Sequence, residues 1–88
     1  MTYEKYKIPQ QLIEEVSNMR EFKLGGTQAS VVLKDGSVYH KVLLSNCMYI
    51  MAIRGYDRMP FNPEDIVDIY QSGDDSYPKQ CGNWAVFD

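Results

Sequence analysis

Apolar residues near the start of the chain recur at the spacing of one helical face. The stripe consists of Ile8, Leu12, Val16 and Met19, and Ile13 widens it. A spacing of three to four residues places such side chains on one side of a helix, and Pro9 suits a first helical turn. The pattern predicts a helix over about residues 9–22 whose apolar side packs on the rest of the domain.

Asp35-Gly36 lies between two apolar runs and is a strong signal for a β-hairpin. The flanking strands are predicted over residues 28–34 and about 37–44. A two-residue type I′ turn would form three pairs, namely Leu33 with Val38, Val31 with His40, and Ala29 with Val42. This register would place His40 in the core row. A type I turn followed by a glycine bulge would shift the pairing by one residue, and the sequence leaves both registers open.

Three further segments complete a predicted set of five short strands. A tight link at Ser45-Asn46 leads to a third strand over about 47–54, which is apolar at nearly every position, as in a strand covered on both faces. Segment 56–61 contains Pro60, so it can pair only at an edge. Residues 62–65 form a tight or 3₁₀ turn before a last strand over 66–70 with alternating apolar positions. Five bent strands closed into a barrel would hide most sheet edges.

Length and composition indicate one domain followed by a tail. The chain has 88 residues, of which 44% are hydrophobic, so it can form a core but has a thin stability margin. We assign residues 1–72 to the domain, with the strands over about 28–72, and residues 73–88 to the tail. The apolar run Trp84–Phe87 in this tail would either add one strand or dock on the domain as an apolar tail.

Charge and targeting signals narrow the classes of function. The net charge is −3, so the chain lacks the overall basic footprint of most nucleic-acid binders. The first residues contain no apolar segment typical of a signal peptide, and no run approaches the length of a membrane span. Cys47 and Cys81 have no metal-site spacing and are expected to be reduced thiols. These features favour a cytoplasmic protein without a membrane partner.

The sequence contains no constellation typical of an enzyme. His40 is the only histidine, and no serine, cysteine or paired acid forms a recognisable catalytic motif with it. The acidic pairs Asp74-Asp75 and Glu64-Asp65 lack the alternating oxygen ligands of a calcium loop. We therefore expect no catalytic residue, no metal site and no cofactor.

Two stretches resemble the Sm-like family, and their spacing matches its Hfq-like branch. Residues Val31–Gly36, followed by Leu43, resemble the first Sm motif, although Lys41 stands where that motif has a second glycine. The run SNCMYIMAIRG, residues 45–55, resembles the third strand of the Hfq-like branch. The resemblance extends over about residues 30–72. It implies a mainly β fold, a small five-stranded Sm-like (SH3-like) barrel with an N-terminal α-helix.

The resemblance also implies a partner, which is the chain itself. In Sm-like proteins the fourth strand of one subunit pairs with the fifth strand of its neighbour, and such a contact closes into a ring of about five to seven subunits. Here the pairing would join residues 57–61 to residues 66–70. The interface candidates are Met59, Phe61, Ile66 and Ile69.

A second implied partner is single-stranded RNA. Tyr49 stands where an aromatic side chain stacks on a base, which contributes about 1–3 kcal/mol per base. The other RNA-binding candidates are Asn46, Asn62, Arg54 and Arg58. Pro63 and Glu64 occupy the two cationic places of the family's pocket, so binding is expected to be weak. The function implied is a ring-forming binding or scaffold protein, and the alternative is a protein–protein interaction module whose RNA pockets are lost.

Overall fold

A computed structural model describes residues 6–23 and 26–73 of the chain. The elements are α1 (Gln10–Ser17), β1 (Glu21–Lys23), β2 (Gly26–Leu33), β3 (Val38–Ser45), β4 (Tyr49–Ile53), a 3₁₀ helix (Pro63–Asp65) and β5 (Ile66–Tyr70). The mainly β class with an N-terminal helix is therefore confirmed. The predicted strand or docked segment at Trp84–Phe87, together with Cys81, lies outside the described residues.

The helix forms where the apolar stripe predicts it but ends earlier. Leu12 and Val16 are buried in the core. At its end, the Ser17 hydroxyl and the Asn18 side-chain amide both donate hydrogen bonds to the carbonyl oxygen of Glu14, at 2.8 and 3.1 Å. These short polar side chains satisfy a terminal carbonyl group and compete with continued helix. The prediction that the helix continues to residue 22 is wrong, because β1 occupies that segment.

β2 is the central strand of an antiparallel sheet. β3 pairs with one of its edges, and β4 pairs with the far side of β3. The other edge of β2 is shared end to end, since β1 pairs near Gly26 and Thr27 while β5 pairs along Ser30 to Leu33. The strand order across the sheet is therefore β1-β2-β3-β4, with β5 beside β1 on the same edge of β2.

The Gln71 side chain bridges the junction between β1 and β5. Its Oε1 accepts a hydrogen bond from the Arg20 N–H at 3.0 Å. Its Nε2 donates to the Arg20 carbonyl at 2.9 Å and to the Gln28 carbonyl at 3.0 Å. This amide therefore supplies the hydrogen bonds that a continuous edge strand would make where β1 and β5 meet.

The prediction of a closed five-stranded barrel is wrong, because the sheet remains open between β4 and β5. Residues 57–61, the predicted fourth strand, contain bends and no strand, and their neighbour Tyr56 makes one isolated bridge with Ile53. Pro60 has no N–H to donate to a ladder. Without a strand in this segment, no chain of strand pairing connects β4 to β5 in the described residues.

The β2–β3 hairpin combines both of the registers that the sequence left open. Gly36 has φ 93° and its N–H donates to Leu33 at 2.9 Å, as in a type I turn followed by a glycine bulge. Next to this turn, Val31 pairs with Tyr39, one residue away from the type I′ register. Beyond it, Ala29 pairs with Val42, as the type I′ register predicts. One extra residue in β3 connects the two registers.

That extra residue lies at His40-Lys41, and Lys41 adopts a left-handed conformation with φ 57°. The backbone N–H of Arg54 donates to the Lys41 carbonyl at 3.1 Å and holds the bulge. The bulge turns His40 out of the core, so the side chain is exposed and contacts Ser30, with Nδ1 and Oγ 2.9 Å apart. The prediction that His40 lies in the core row is therefore wrong. It assumed continuous pairing of Val31 with His40, without a bulge.

Lys41→Gly is expected to stabilise the protein by about 0.5–1 kcal/mol. A side chain with a Cβ costs about 1–2 kcal/mol in the left-handed region, and glycine removes that cost at some expense in unfolded-state entropy. Lys41→Val should destabilise the protein, because a β-branched residue tolerates this conformation poorly. His40→Gly is the matched control and should destabilise. Thermal melts of the three variants test the bulge, and a lower melting temperature for Lys41→Gly would contradict it.

Pairing and burial divide the sheet into two faces. The core face carries buried apolar residues from β2 to β5 and is covered by α1; its members include Val31, Val42, Leu44, Ile50 and Ile69. The opposite face, here called the outer face, carries the alternate residues of the same strands. Its central row is Gln28, Leu43 and Ala52, which pair across β2, β3 and β4.

Candidate functional site

The first group of RNA-binding candidates lies at the β3–β4 turn. Asn46 and Cys47 both have positive φ, 53° and 66°, as a type I′ turn requires. The Met48 N–H donates to the Ser45 carbonyl at 3.1 Å and closes the turn. Asn46 is exposed at the tip, so its side chain is accessible. The two-residue link is therefore Asn46-Cys47, one position later than the sequence predicts.

Tyr49 begins β4 and is half-buried on the outer face. It pairs with Ser45 on one side and forms a bridge with Lys7 on the other. The N-terminal segment is fixed beside it, because the Ile8 N–H donates to the Met48 carbonyl at 2.8 Å. Pairing on both sides fixes the backbone of Tyr49, and the side chain projects from the outer face of the sheet.

The cationic candidates lie at the other end of β4. Arg54 follows the strand and is five positions from Tyr49, about 16 Å along an extended chain. Gly55 has φ 94° and permits the turn that follows, in which the Tyr56 N–H donates to the Ile53 carbonyl at 3.0 Å. Arg58 is exposed in the next loop. Tyr49 and Arg54 therefore lie at opposite ends of β4, and Arg58 lies in the loop that follows Arg54.

Asn62 acts as a cap on the 3₁₀ helix. Its Oδ1 accepts a hydrogen bond from the Glu64 N–H at 3.0 Å. The same turn is fixed to the hairpin, because the Lys34 N–H donates to the Asp65 carbonyl at 2.9 Å and the Lys34 ammonium group lies 3.2 Å from the Asp65 carboxylate. The exposed ion pair contributes little stability. The Asn62 amide oxygen thus has a structural role at this turn.

The four interface candidates separate into two kinds of position. Met59 and Phe61 are half-buried and pack against the core. Ile66 and Ile69 are each 1% exposed and belong to the core itself. Any contact between subunits through β5 would therefore use its backbone and its exposed side chains, which are Val67, Asp68 and Tyr70.

An aromatic cluster that the sequence analysis did not identify lies near the arginines. Tyr39 packs edge-on against Tyr56, with ring centroids 5.7 Å apart, and against Phe61 at 4.8 Å. Tyr56 is 44% exposed, so the cluster reaches solvent. Tyr39 lies in β3, whereas Tyr56 and Phe61 lie in the loop before the 3₁₀ helix. Their contact depends on the fold, which brings the loop across the hairpin, so the sequence alone does not predict it.

Cys47 provides a thiol at the β3–β4 turn, but its chemistry is unfavourable for catalysis. Burial raises the pKa of the Cys47 thiol above its ordinary value, and the negative charge of Glu21 raises it further. The reactive thiolate is therefore disfavoured at neutral pH.

The Asp35 carboxyl in the β2–β3 hairpin turn shows the opposite shift. A hydrogen bond from the Ser37 N–H at 2.9 Å lowers the pKa of this exposed group.

Within residues 6–23 and 26–73, no three His, Cys, Asp or Glu side chains come together in a group that could hold a metal ion. None of the helices in that part of the chain is long and apolar enough to span a membrane. In comparisons with protein-family models, curated proteins and solved structures, nothing matches this chain.

Proposed function

We propose that this chain is an Sm-like binding or scaffold module that assembles with copies of itself through β5. The observation that carries the proposal is the edge of the open sheet. β5 pairs with β2 along one side, and its other side has no strand partner among the described residues. An exposed strand edge presents N–H and C=O groups that can pair with another chain.

Two of the exposed side chains of β5 support association at this edge. Val67 is 55% exposed and Tyr70 is 39% exposed. Burial of such apolar surface contributes about 25 cal/mol per Å², and a small domain with a thin stability margin gains from association. The Sm-like resemblance suggests a homo-oligomeric ring of about five to seven subunits, in which each contact is the same head-to-tail pairing.

The complementary segment would be residues 57–61 of a neighbouring subunit. In one subunit this segment is bent, and Met59 and Phe61 anchor it against the core. Pro60 allows pairing at an edge but not inside a sheet. We infer that the segment becomes a paired strand on assembly, which would complete the sheet that remains open in the single chain.

Hydrogen exchange at two protein concentrations tests this contact. Backbone amides of β5 and of residues 57–61 should become more protected as concentration rises, because paired amides exchange slowly. Amides of the β2–β3 hairpin, which pair within the chain, serve as the internal control and should not change. Equal protection of β5 at both concentrations, in a sample whose mass changes, would place the contact elsewhere.

Single-stranded RNA is the ligand that we propose second, with weak binding. The half-buried but accessible ring of Tyr49 on the outer face favours it. The acidic pair Glu64-Asp65 in the 3₁₀ helix opposes it, since carboxylates repel phosphates. A ring that binds protein in place of RNA is the alternative, and the net charge of −3 favours that alternative.

Binding of a uridine hexamer is expected to be micromolar or weaker, with a shallow dependence on salt. Each phosphate contact from Lys or Arg contributes about 0.7 to the salt slope on a single strand, and Arg54 lies at the opposite end of β4 from Tyr49. Tyr49→Ala should abolish the binding, while Tyr49→Phe should preserve it because stacking remains. Fluorescence anisotropy at two salt concentrations provides the measurement.

Tyr56→Ala is the matched control for this experiment, because Tyr56 is an exposed tyrosine at the other end of β4. It should leave RNA binding unchanged. Loss of binding in Tyr56→Ala but not in Tyr49→Ala would assign the ligand to the aromatic cluster beside the arginines. Nanomolar affinity with a steep salt slope would contradict weak binding altogether.

A further inference from the structure

The central row of the outer face is deeply buried, although it lies opposite the core. Leu43 is 4% exposed and Ala52 is 0% exposed. They pair with each other, and Leu43 also pairs with Gln28, which is 3% exposed. None of the three belongs to the core cluster. The sheet therefore has two buried faces, and the outer one requires a cover of its own.

The described elements account for the cover of one face only. Leu12 and Val16 of α1 belong to the core cluster, so the helix covers the core face. The strands are parts of the sheet itself. Tyr49, on the same face in the neighbouring row, is half-buried at the margin of the central row.

We propose that the chain's own C-terminal segment, residues 74–88, docks on the outer face and places its apolar run Trp84–Phe87 over Leu43 and Ala52. The run joins the chain's only tryptophan to Ala, Val and Phe. Burial of large aromatic side chains is among the strongest sources of contact energy. The centre of the outer face carries the apolar side chains of Leu43 and Ala52, so an apolar segment suits this surface.

The starting point and the length of the segment fit this docking. The segment follows Gly73, two residues after Gln71, and the Gln71 side chain already donates to the Gln28 carbonyl at 3.0 Å. Fifteen residues reach about 50 Å when extended. The distance from β5 across β2 and β3 to β4 is three strand spacings, about 15 Å. The segment is therefore long enough to reach Ala52 with residues to spare.

Fluorescence of Trp84 in the 88-residue chain tests the proposal directly, because the chain has no other tryptophan. The expected emission is blue-shifted, and acrylamide should quench it several-fold less than in the urea-unfolded chain. Both properties should be constant over a hundredfold dilution. Emission and quenching of a fully solvated indole would overturn the proposal. Protection that disappears on dilution would overturn it too, since the cover would then be a second copy.

The Leu43→Ala variant, measured in the same way, tests whether Trp84 docks over the central row of the outer face. Removal of part of this side chain should shift Trp84 emission to the red and increase quenching. Val38→Ala is the matched control, because Val38 lies near the end of the same face and is 43% exposed. It should leave Trp84 unchanged. Equal effects of the two variants would overturn the assignment to the central row.

Discussion

Ile69→Asp is expected to unfold the protein. Ile69 is 1% exposed and pairs with Val31 on the core face. Loss of a buried isoleucine costs about 2–5 kcal/mol, and an unpaired carboxylate in that position adds several kcal/mol more. A domain of this size has a total stability of about 5–10 kcal/mol. Far-ultraviolet circular dichroism and a thermal melt should show a chain without a cooperative transition.

Val67→Asp is the matched control for this experiment. It introduces the same carboxylate two residues earlier on β5, but Val67 is 55% exposed. The variant should fold with a melting temperature close to that of a monomeric wild-type chain. If Ile69→Asp and Val67→Asp melted alike, the assignment of inward and outward positions on β5 would be wrong.

Gln71→Glu is expected to destabilise the protein by about 1–3 kcal/mol. The substitution keeps the shape of the side chain and the oxygen that accepts from the Arg20 N–H. It removes both hydrogen bonds donated by Nε2 and directs a negative charge at the carbonyl groups of Arg20 and Gln28. The hydrogen bond to the Gln28 carbonyl is partly buried, and loss of a donor to such a carbonyl costs about this amount. The melting temperature should fall by about 4–8 °C for each kcal/mol of unfolding free energy that is lost.

Gln11→Glu serves as the control for Gln71→Glu. It makes the same chemical change at an exposed position of α1, where substitutions usually change stability by less than about 0.5 kcal/mol. Equal melting temperatures for the two variants would contradict the bridging role of Gln71.

The helical stripe and the Asp35-Gly36 signal predict local structure well, because each depends on residues close in sequence. Leu12 and Val16 are buried as the spacing indicates, and Gly36 has the positive φ that a hairpin turn needs. The end of the helix was harder to predict. It depends on Ser17 and Asn18 bonding back to a carbonyl group. It also depends on a β1 strand that pairs with β2 and that begins beside the distant Gln71.

Features that depend on long-range pairing were predicted less well. The bulge at Lys41 follows from the need to join a turn of one register to a sheet of the other. The resemblance marks the same position, because Lys41 stands where the first Sm motif has its second glycine, but it does not give the register. Closure of the barrel failed as a prediction because it required a strand at residues 57–61. The candidates Tyr49 and Arg54 are close in sequence, yet an extended strand separates them.

The measurement that tests self-assembly most directly is the mass of the protein in solution. Multi-angle light scattering of the wild type at micromolar concentration should give a multiple of 10.2 kDa, about five to seven subunits. Val67→Asp should give 10.2 kDa with an intact fold, because a charge at the exposed edge of β5 blocks the contact. A monomeric mass for the wild type at every accessible concentration would contradict the proposed ring.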